Sequence, residues 1–392
     1  MTHLRGALAF AFLGFFILLQ PLFPLGPSIA KAGGTIAIDD VRSFSIGMGV
    51  RSSFDMMEHG SPDGKHWSNE FELDSVRLYL DGRLLKYVYL EVNTEYNEAP
   101  PGALGAPGTE TVRILDAVVK FEFNDYINFW TGRLLPPSDR SNLSGPYYLN
   151  SWDFPAVQKY PNAAVGRDNG AAFWGQIGGG QFKYQVGVFE GKGDAAGGPN
   201  TTDELLYAGR LVLNLWDPEP GYYNSSTYFG GKNVFALGLA GMYQKTGTTG
   251  TLGAADIQDW NADLLIERNL ADLGVPTLEA AYYYYNLGGH VPTAGATGPL
   301  GDGPEGKGYF VLASYLFPGK TGPGKIQPLV RYQQFNNSGL ASGDGRRIDA
   351  ALSYILDGHN ARVTADFGNT QPPGVSGLKK FDTFQIGLQF QI

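Results

Sequence analysis

Two sets of charged residues stand out for the chemistry that their types and spacing permit. The first lies in one irregular stretch, GRLLPPSDRSNLSGPYYLNSWDFPAVQKYP at 132–161, where Asp139, Arg140, Asp153 and Lys159 sit among prolines and aromatic residues without helical or strand period. The second is spread over many short alternating segments. Its cations are Arg77, Lys120, Lys183, Arg210, Arg331 and Arg362; its acids are Glu91, Glu95, Asp116, Glu122, Asp259, Asp263, Glu267, Glu279, Asp349 and Asp366. Each occupies the polar phase of a segment whose other phase is largely apolar. Carboxylates and guanidinium groups facing one another across a narrow, water-filled gap focus a field that sorts ions by sign. Bond-making chemistry is not legible, because there is no G-x-S-x-G, no H-E-x-x-H and no phosphate-binding Gly-rich loop between a strand and a helix. The absence of Cys removes thiol nucleophiles, thiolate metal sites, disulfides and covalent haem attachment. His59 and His66, with Glu58 and Asp63, come nearest to a metal-binding group, and their spacing fits no metal motif. Neither a metal nor a cofactor is expected.

The elements that must position these charges are strands. Strict alternation over several residues marks a strand with two different faces, and the last twelve residues, FDTFQIGLQFQI, show it most clearly. Phe384, Ile386, Leu388, Phe390 and Ile392 share one face, while Thr383, Gln385, Gly387, Gln389 and Gln391 share the other. Sixteen such segments fall between residues 43 and 392. Their connections alternate between long and short. Asp81-Gly82, Asn124-Asp125, Gly178-Gly179-Gly180, Pro318-Gly319 and Asp357-Gly358 carry the chemistry of tight turns. The stretches 57–69, 97–110, 135–167, 191–204, 245–257, 287–307, 336–346 and 368–380 read as long loops. One connection, 217–232, is long where a short one is due.

Loops sorted by length to two rims predict an all-β fold: a 16-stranded antiparallel up-and-down transmembrane β-barrel. Such barrels satisfy every backbone group inside a bilayer and pair short turns with long loops. Sixteen strands leave an aqueous lumen. The third long loop, 135–167, carries Leu135, Leu143, Tyr147, Tyr148, Trp152 and Phe154, too much apolar surface to project into water, so it is expected to fold inward as a constriction. Tyr126, Phe129, Trp130, Tyr282–Tyr285 and Phe317, near strand ends, suit an aromatic belt at the membrane interface.

Residues 1–32 read as a cleaved signal peptide, with Arg5, an apolar run from Ala7 to Leu19 and an Ala30-Lys31-Ala32 cleavage site; the barrel then occupies 33–392. The chain has 29 Lys and Arg against 38 Asp and Glu, so it is acidic and no nucleic-acid partner is expected. Its 55 Gly and 13% aromatic residues suit a protein built of strands and turns.

The stretch TGRLLPPSDRSNLSGPYYLNSWDFP, followed by GRDNGAAFWG, resembles the Gram-negative trimeric porins, in particular the branch of phosphate-selective porins O and P. The resemblance implies a homotrimeric channel in the outer membrane, in contact with its lipid, whose third extracellular loop forms the constriction. The sequence departs from the family at Ile392, where this class ends in Phe, although Phe390 keeps the phase. It also has few Lys and no ladder of them along one strand, so phosphate selectivity is not carried over. The expected function is passive diffusion of small hydrophilic solutes and ions, without catalysis. Wall acids outnumber wall bases, which predicts a modest cation preference. The alternative is a barrel that sheathes a larger outer-membrane assembly such as a porin–cytochrome electron conduit, with redox centres supplied by a partner.

Overall fold

The computed structural model describes residues 34–97, 111–159, 166–191, 203–250, 253–288, 300, 305–338, 343–373 and 379–392. The expected leader, 1–32, lies outside them. Sixteen antiparallel strands form the wall. The first half comprises β1 (Ser43–Met57), β2 (Glu70–Leu85), β3 (Val88–Asn97), β4 (Thr111–Glu122), β5 (Asn128–Leu134), β6 (Asp168–Ile177), β7 (Phe182–Phe189) and β8 (Leu206–Asn214). The second comprises β9 (Val234–Gly250), β10 (Gly253–Glu267), β11 (Val275–Asn286), β12 (Gly306–Leu316), β13 (Gly324–Asn337), β14 (Gly343–Asp357), β15 (Ala361–Gln371) and β16 (Phe381–Gln391). Each strand pairs with its neighbours in sequence. The sheet closes where β16 meets β1, from Thr383 opposite Met57 to Gln391 opposite Gly49. A short strand, Gly34–Ala37, folds back on the start of β1, with Ala37 opposite Ser43 and Gly34 opposite Ile46.

The closed sheet places the alternation to use. In β16, Leu388 and Phe390 are 45% and 51% exposed, whereas Gln389 between them is fully buried. The same inversion of a soluble protein runs along β8, where Leu211 and Leu213 face outward and Arg210 and Asn214 face inward. Apolar residues outside and polar residues inside are what a barrel wall in lipid requires.

Several turns and loops depart from expectation. Asp81 and Gly82 do not turn; they remain in β2 opposite Glu91 and Leu90, and the ladder continues to Leu85 opposite Val88. The reversal falls on Lys86 and Tyr87, because ladder bonds beyond Gly82 outweigh a local turn preference in a chain already held by its neighbour. The stretch 245–257 is largely hairpin, since β9 runs to Gly250 and β10 starts at Gly253. Thr248 and Thr249 pair with Ala255 and Ala254 there, and β-branched Thr favours that extended state. The stretch 336–346 shortens in the same way as β13 reaches Asn337 and β14 begins at Gly343. Pro318-Gly319 precedes the true hairpin tip at Gly322-Pro323.

β5 ends early, at Leu134, where its last residue pairs with Asp168. The chain therefore leaves the wall partway up the barrel and turns into the lumen, so that residues 135–159 run inside it. Their apolar side chains pack on two sides of the wall. Leu135 and Leu143 join Trp130, Trp174, Phe189, Leu206 and Tyr222 in one cluster. Val157 joins Tyr283, Tyr285, Phe310, Leu312 and Phe335 in another.

Candidate functional site

The inward loop is braced by a short helix, α1 (Arg140–Ser144), whose N-cap is Asp139. The Asp139 carboxylate accepts from the Ser141 and Asn142 amides at 3.2 and 3.3 Å. It also accepts from the Tyr283 hydroxyl and the Gln158 amide, both at 2.6 Å. Its charge is thus spent on fixing the loop. Arg140 is only 1% exposed. Its guanidinium donates through both terminal nitrogens to Glu219 at 2.7 Å and once to the Ser225 carbonyl at 2.8 Å. Burial opposes charge on Arg140, but facing Glu219 more than restores it and raises its pKa. Burial likewise pushes the Glu219 carboxyl up, and Arg140 reverses this, holding it at about 2. The pair is ionised.

The wall continues this network. Arg210 donates to both oxygens of Asp263, at 2.5 and 2.9 Å, while the Arg140 amide donates to Asp263 at 3.2 Å. Glu279 accepts from Ser141 and Ser226 at 3.3 and 3.1 Å. On another side of the lumen, Arg331 pairs with Asp349 at 2.9 Å and donates to the Asp153 carbonyl at 2.8 Å. Arg362 donates to the Leu149 carbonyl at 2.8 Å and to that of Asn150 at 3.4 Å. Arg210, Asp263, Glu279, Arg331 and Arg362 are all buried by the loop or by each other. They anchor it and do not line an open passage. Asp153 remains exposed, and the Lys159 ammonium lies 4.1 Å from the centre of the Phe335 ring.

Open space survives against β2–β4. A cavity of about 650 Å³ extends from the turn rim, near Ile392, to Arg77, Glu91, Asn93, Asp116 and Arg167. Its wall is made of ion pairs: Arg77 donates to Glu95 at 2.5 Å, Arg167 to Asp116 at 3.0 Å, and Lys120 to Glu91. Lys120 also lies over the Trp130 ring, 4.2 Å from its centre. Asn93 ties two of these pairs together by donating to Glu91 and Asp116. Opposite stand Leu143, Tyr147 and Tyr148 of the loop. Of the nominated residues, then, Arg77, Glu91 and Asp116 border this cavity, with Lys120 in their network.

Sequence reasoning missed Arg167, Arg51 and Glu219. Arg51 was available from parity, since Met48 and Val50 alternate with it; it donates to the Trp152 carbonyl at 2.6 Å and stacks 4.0 Å from that ring. Asp55, Glu72 and Asp74 were also missed; their carboxylates gather within 4.8 Å of one another. His59 and His66 stay in an exposed loop, where His66 contacts Asp63 at 2.6 Å. Among the described residues, His359, in the β14–β15 turn, is the histidine that enters the lumen structure. Its Nδ1 lies 3.1 Å from the Tyr147 carbonyl and its Nε2 2.9 Å from that of Thr227. Burial, reinforced by Arg362, lowers its pKa to about 4, against the two carbonyls, which raise it.

Two wall glycines receive the loop's rings. A Cβ on Gly49 would stand 2.7 Å from the Tyr147 ring, and one on Gly387 2.4 Å from Trp152. Gly387→Ala is therefore expected to lower the thermal midpoint of the folded protein in detergent, since overpacking costs about 1–3 kcal/mol. The same change at Gly179, which has open space around it, controls for nothing but backbone strain at its positive φ of 64°. An unchanged midpoint for Gly387→Ala would mean that Trp152 does not rest on the wall.

No family model and no curated protein matches this chain. Solved structures do. OmpF of Salmonella typhi is similar at 13% identity with a TM-score of 0.59, covering 92% of this chain and 100% of that one. The anion-selective porin of Comamonas acidovorans and the trimer form of OmpT of Vibrio cholerae each give 12% identity and a TM-score of 0.55, with 90% of this chain and 100% of theirs covered. The closed wall of sixteen strands, polar within and apolar without, has the fold of the Gram-negative outer-membrane porins.

Proposed function

We propose that this chain is an outer-membrane porin, passing small hydrophilic solutes and ions by passive diffusion, without catalysis. The observation that carries the reading is the lumen itself: a polar, charge-bearing interior narrowed by a loop that folds in from the wall. An apolar exterior suits outer-membrane lipid, and the leader-like residues 1–32 suit export. A homotrimer is proposed from the likeness to porins, one of which is described in trimer form. Because the chain's own loop occupies much of the lumen, the channel reading is favoured over a barrel that sheathes a partner. The likeness to the phosphate-selective branch is taken as one of architecture only.

Purified protein added to planar bilayers should produce stepwise ohmic conductance, and a folded protein that passes no current would overturn the proposal. The cavity's charges are matched in pairs, with Asp81 as an additional acid along it. The reversal potential across a salt gradient is thus expected to be small and of the sign for cation preference. Paired charges present little net field to a passing ion beyond about 8–10 Å at physiological salt. A strong anion preference would instead place the filter at cations such as Arg77 and Lys159.

A further inference from the structure

On the reading that the chain is a channel, we infer that the connection 217–232 is a second constricting segment, inserted from the rim opposite to that of the loop, and that solutes pass across Tyr223, Asn224 and Tyr228. By its position between β8 and β9 this connection belongs with the short turns. Its length has a structural use: Tyr222, Ser225, Ser226 and Thr227 are buried inside the barrel.

The segment is held to the wall and to the loop by separate sets of bonds. Lys183 donates to the Gly221 carbonyl at 2.9 Å and Gln185 to that of Tyr222 at 2.6 Å. Glu267 accepts from the Tyr228 and Gly230 amides at 3.1 and 2.8 Å, and from the Thr227 hydroxyl at 2.6 Å. Toward the loop, the Ser226 amide donates to the Tyr148 carbonyl at 3.0 Å, Asn224 donates to the Arg140 carbonyl at 2.9 Å, and Tyr222 donates to the Leu135 carbonyl at 2.8 Å. Glu219 receives Arg140 on one side and the Tyr228 hydroxyl, at 2.6 Å, on the other. An ion pair buried this deeply adds little net stability but demands one geometry, so it registers the two segments against each other.

The consequence is a cavity with three sides. The ion-paired wall of β2–β4 is one, the loop at Leu143–Tyr148 the second, and Tyr223, Asn224, Ser225 and Tyr228 the third. The loop alone does not bound the passage. Tyrosine rings and amide groups opposite paired charges offer a solute both an apolar face and hydrogen bonds, which suits small polar molecules better than bare ions.

The lack of Cys in this chain makes a direct test available in planar bilayers. Asn224→Cys introduces a single thiol on the proposed third side, and Tyr148→Cys one on the loop side. A cationic thiosulfonate reagent is expected to reduce the current through Asn224→Cys channels to a small fraction, and to leave wild-type channels unaffected. Block of Tyr148→Cys with undiminished current through Asn224→Cys would overturn the inference while leaving the porin reading intact. A wild-type protein that conducts nothing would overturn both. If Asn224→Cys does not fold, Tyr228→Cys carries the same two outcomes.

Discussion

A chain lacking residues 138–158 is expected to form a barrel whose conductance in planar bilayers exceeds the wild-type value by about twofold or more, since sixteen strands enclose an aqueous lumen of which the connection 217–232 then fills only a part. The deleted residues make none of the wall's ladder pairings, which run from β5 directly to β6. Removing them uncovers Arg210, Asp263, Arg331, Asp349 and Arg362, but water then solvates these charges, so the wall does not suffer the penalty of buried ions. The barrel should remain resistant to unfolding in detergent, with a lowered midpoint because the clusters around Trp130 and around Tyr283 lose their loop partners. Unchanged conductance in a folded deletion variant would place the restriction elsewhere. Failure to fold would show that the loop is part of the folding core.

Arg140→Met is expected to destabilise the packed lumen by about 3–5 kcal/mol, because it leaves the Glu219 carboxyl buried without its guanidinium partner. Glu219→Met should cost a similar amount from the other side. The double variant, Arg140→Met with Glu219→Met, should recover most of the loss, as apolar replacements of a buried pair are often near neutral. The Ser225 carbonyl and the Tyr228 hydroxyl lose a partner in the double variant, which sets a limit on that recovery. The readout is the rate at which an added protease cleaves within 135–159, compared across the four proteins. Additive single effects would show that the two side chains do not act as a pair.

Much of the wall is written locally. Leu388, Gln389 and Phe390 alternate because a strand in a barrel wall has one outward face and one lumen face, and that periodicity is visible in any short window. Strand number and the even parity of the barrel follow from counting such windows and the turn residues between them. The inward course of 135–159 was also legible, since Tyr147, Trp152 and Leu143 are too apolar for a free loop. Turn positions were less legible where backbone pairing runs past a local signal, as at Asp81-Gly82, because ladder bonds with a neighbouring strand are not encoded in the dipeptide.

Tertiary structure alone decided which charges meet. Parity places Arg77, Arg210 and Arg362 on one face of the sheet, but it does not distinguish a cation bordering open space from one buried beneath a loop. Arg77 borders the cavity; Arg210 is committed to Asp263, and Arg362 to loop carbonyls. The same holds for Arg140 and Glu219, far apart in sequence and brought together by segments entering from opposite rims. The reason is physical: alternation is set by the geometry of one strand, whereas the pairing of charges depends on where two irregular segments come to rest inside a closed wall.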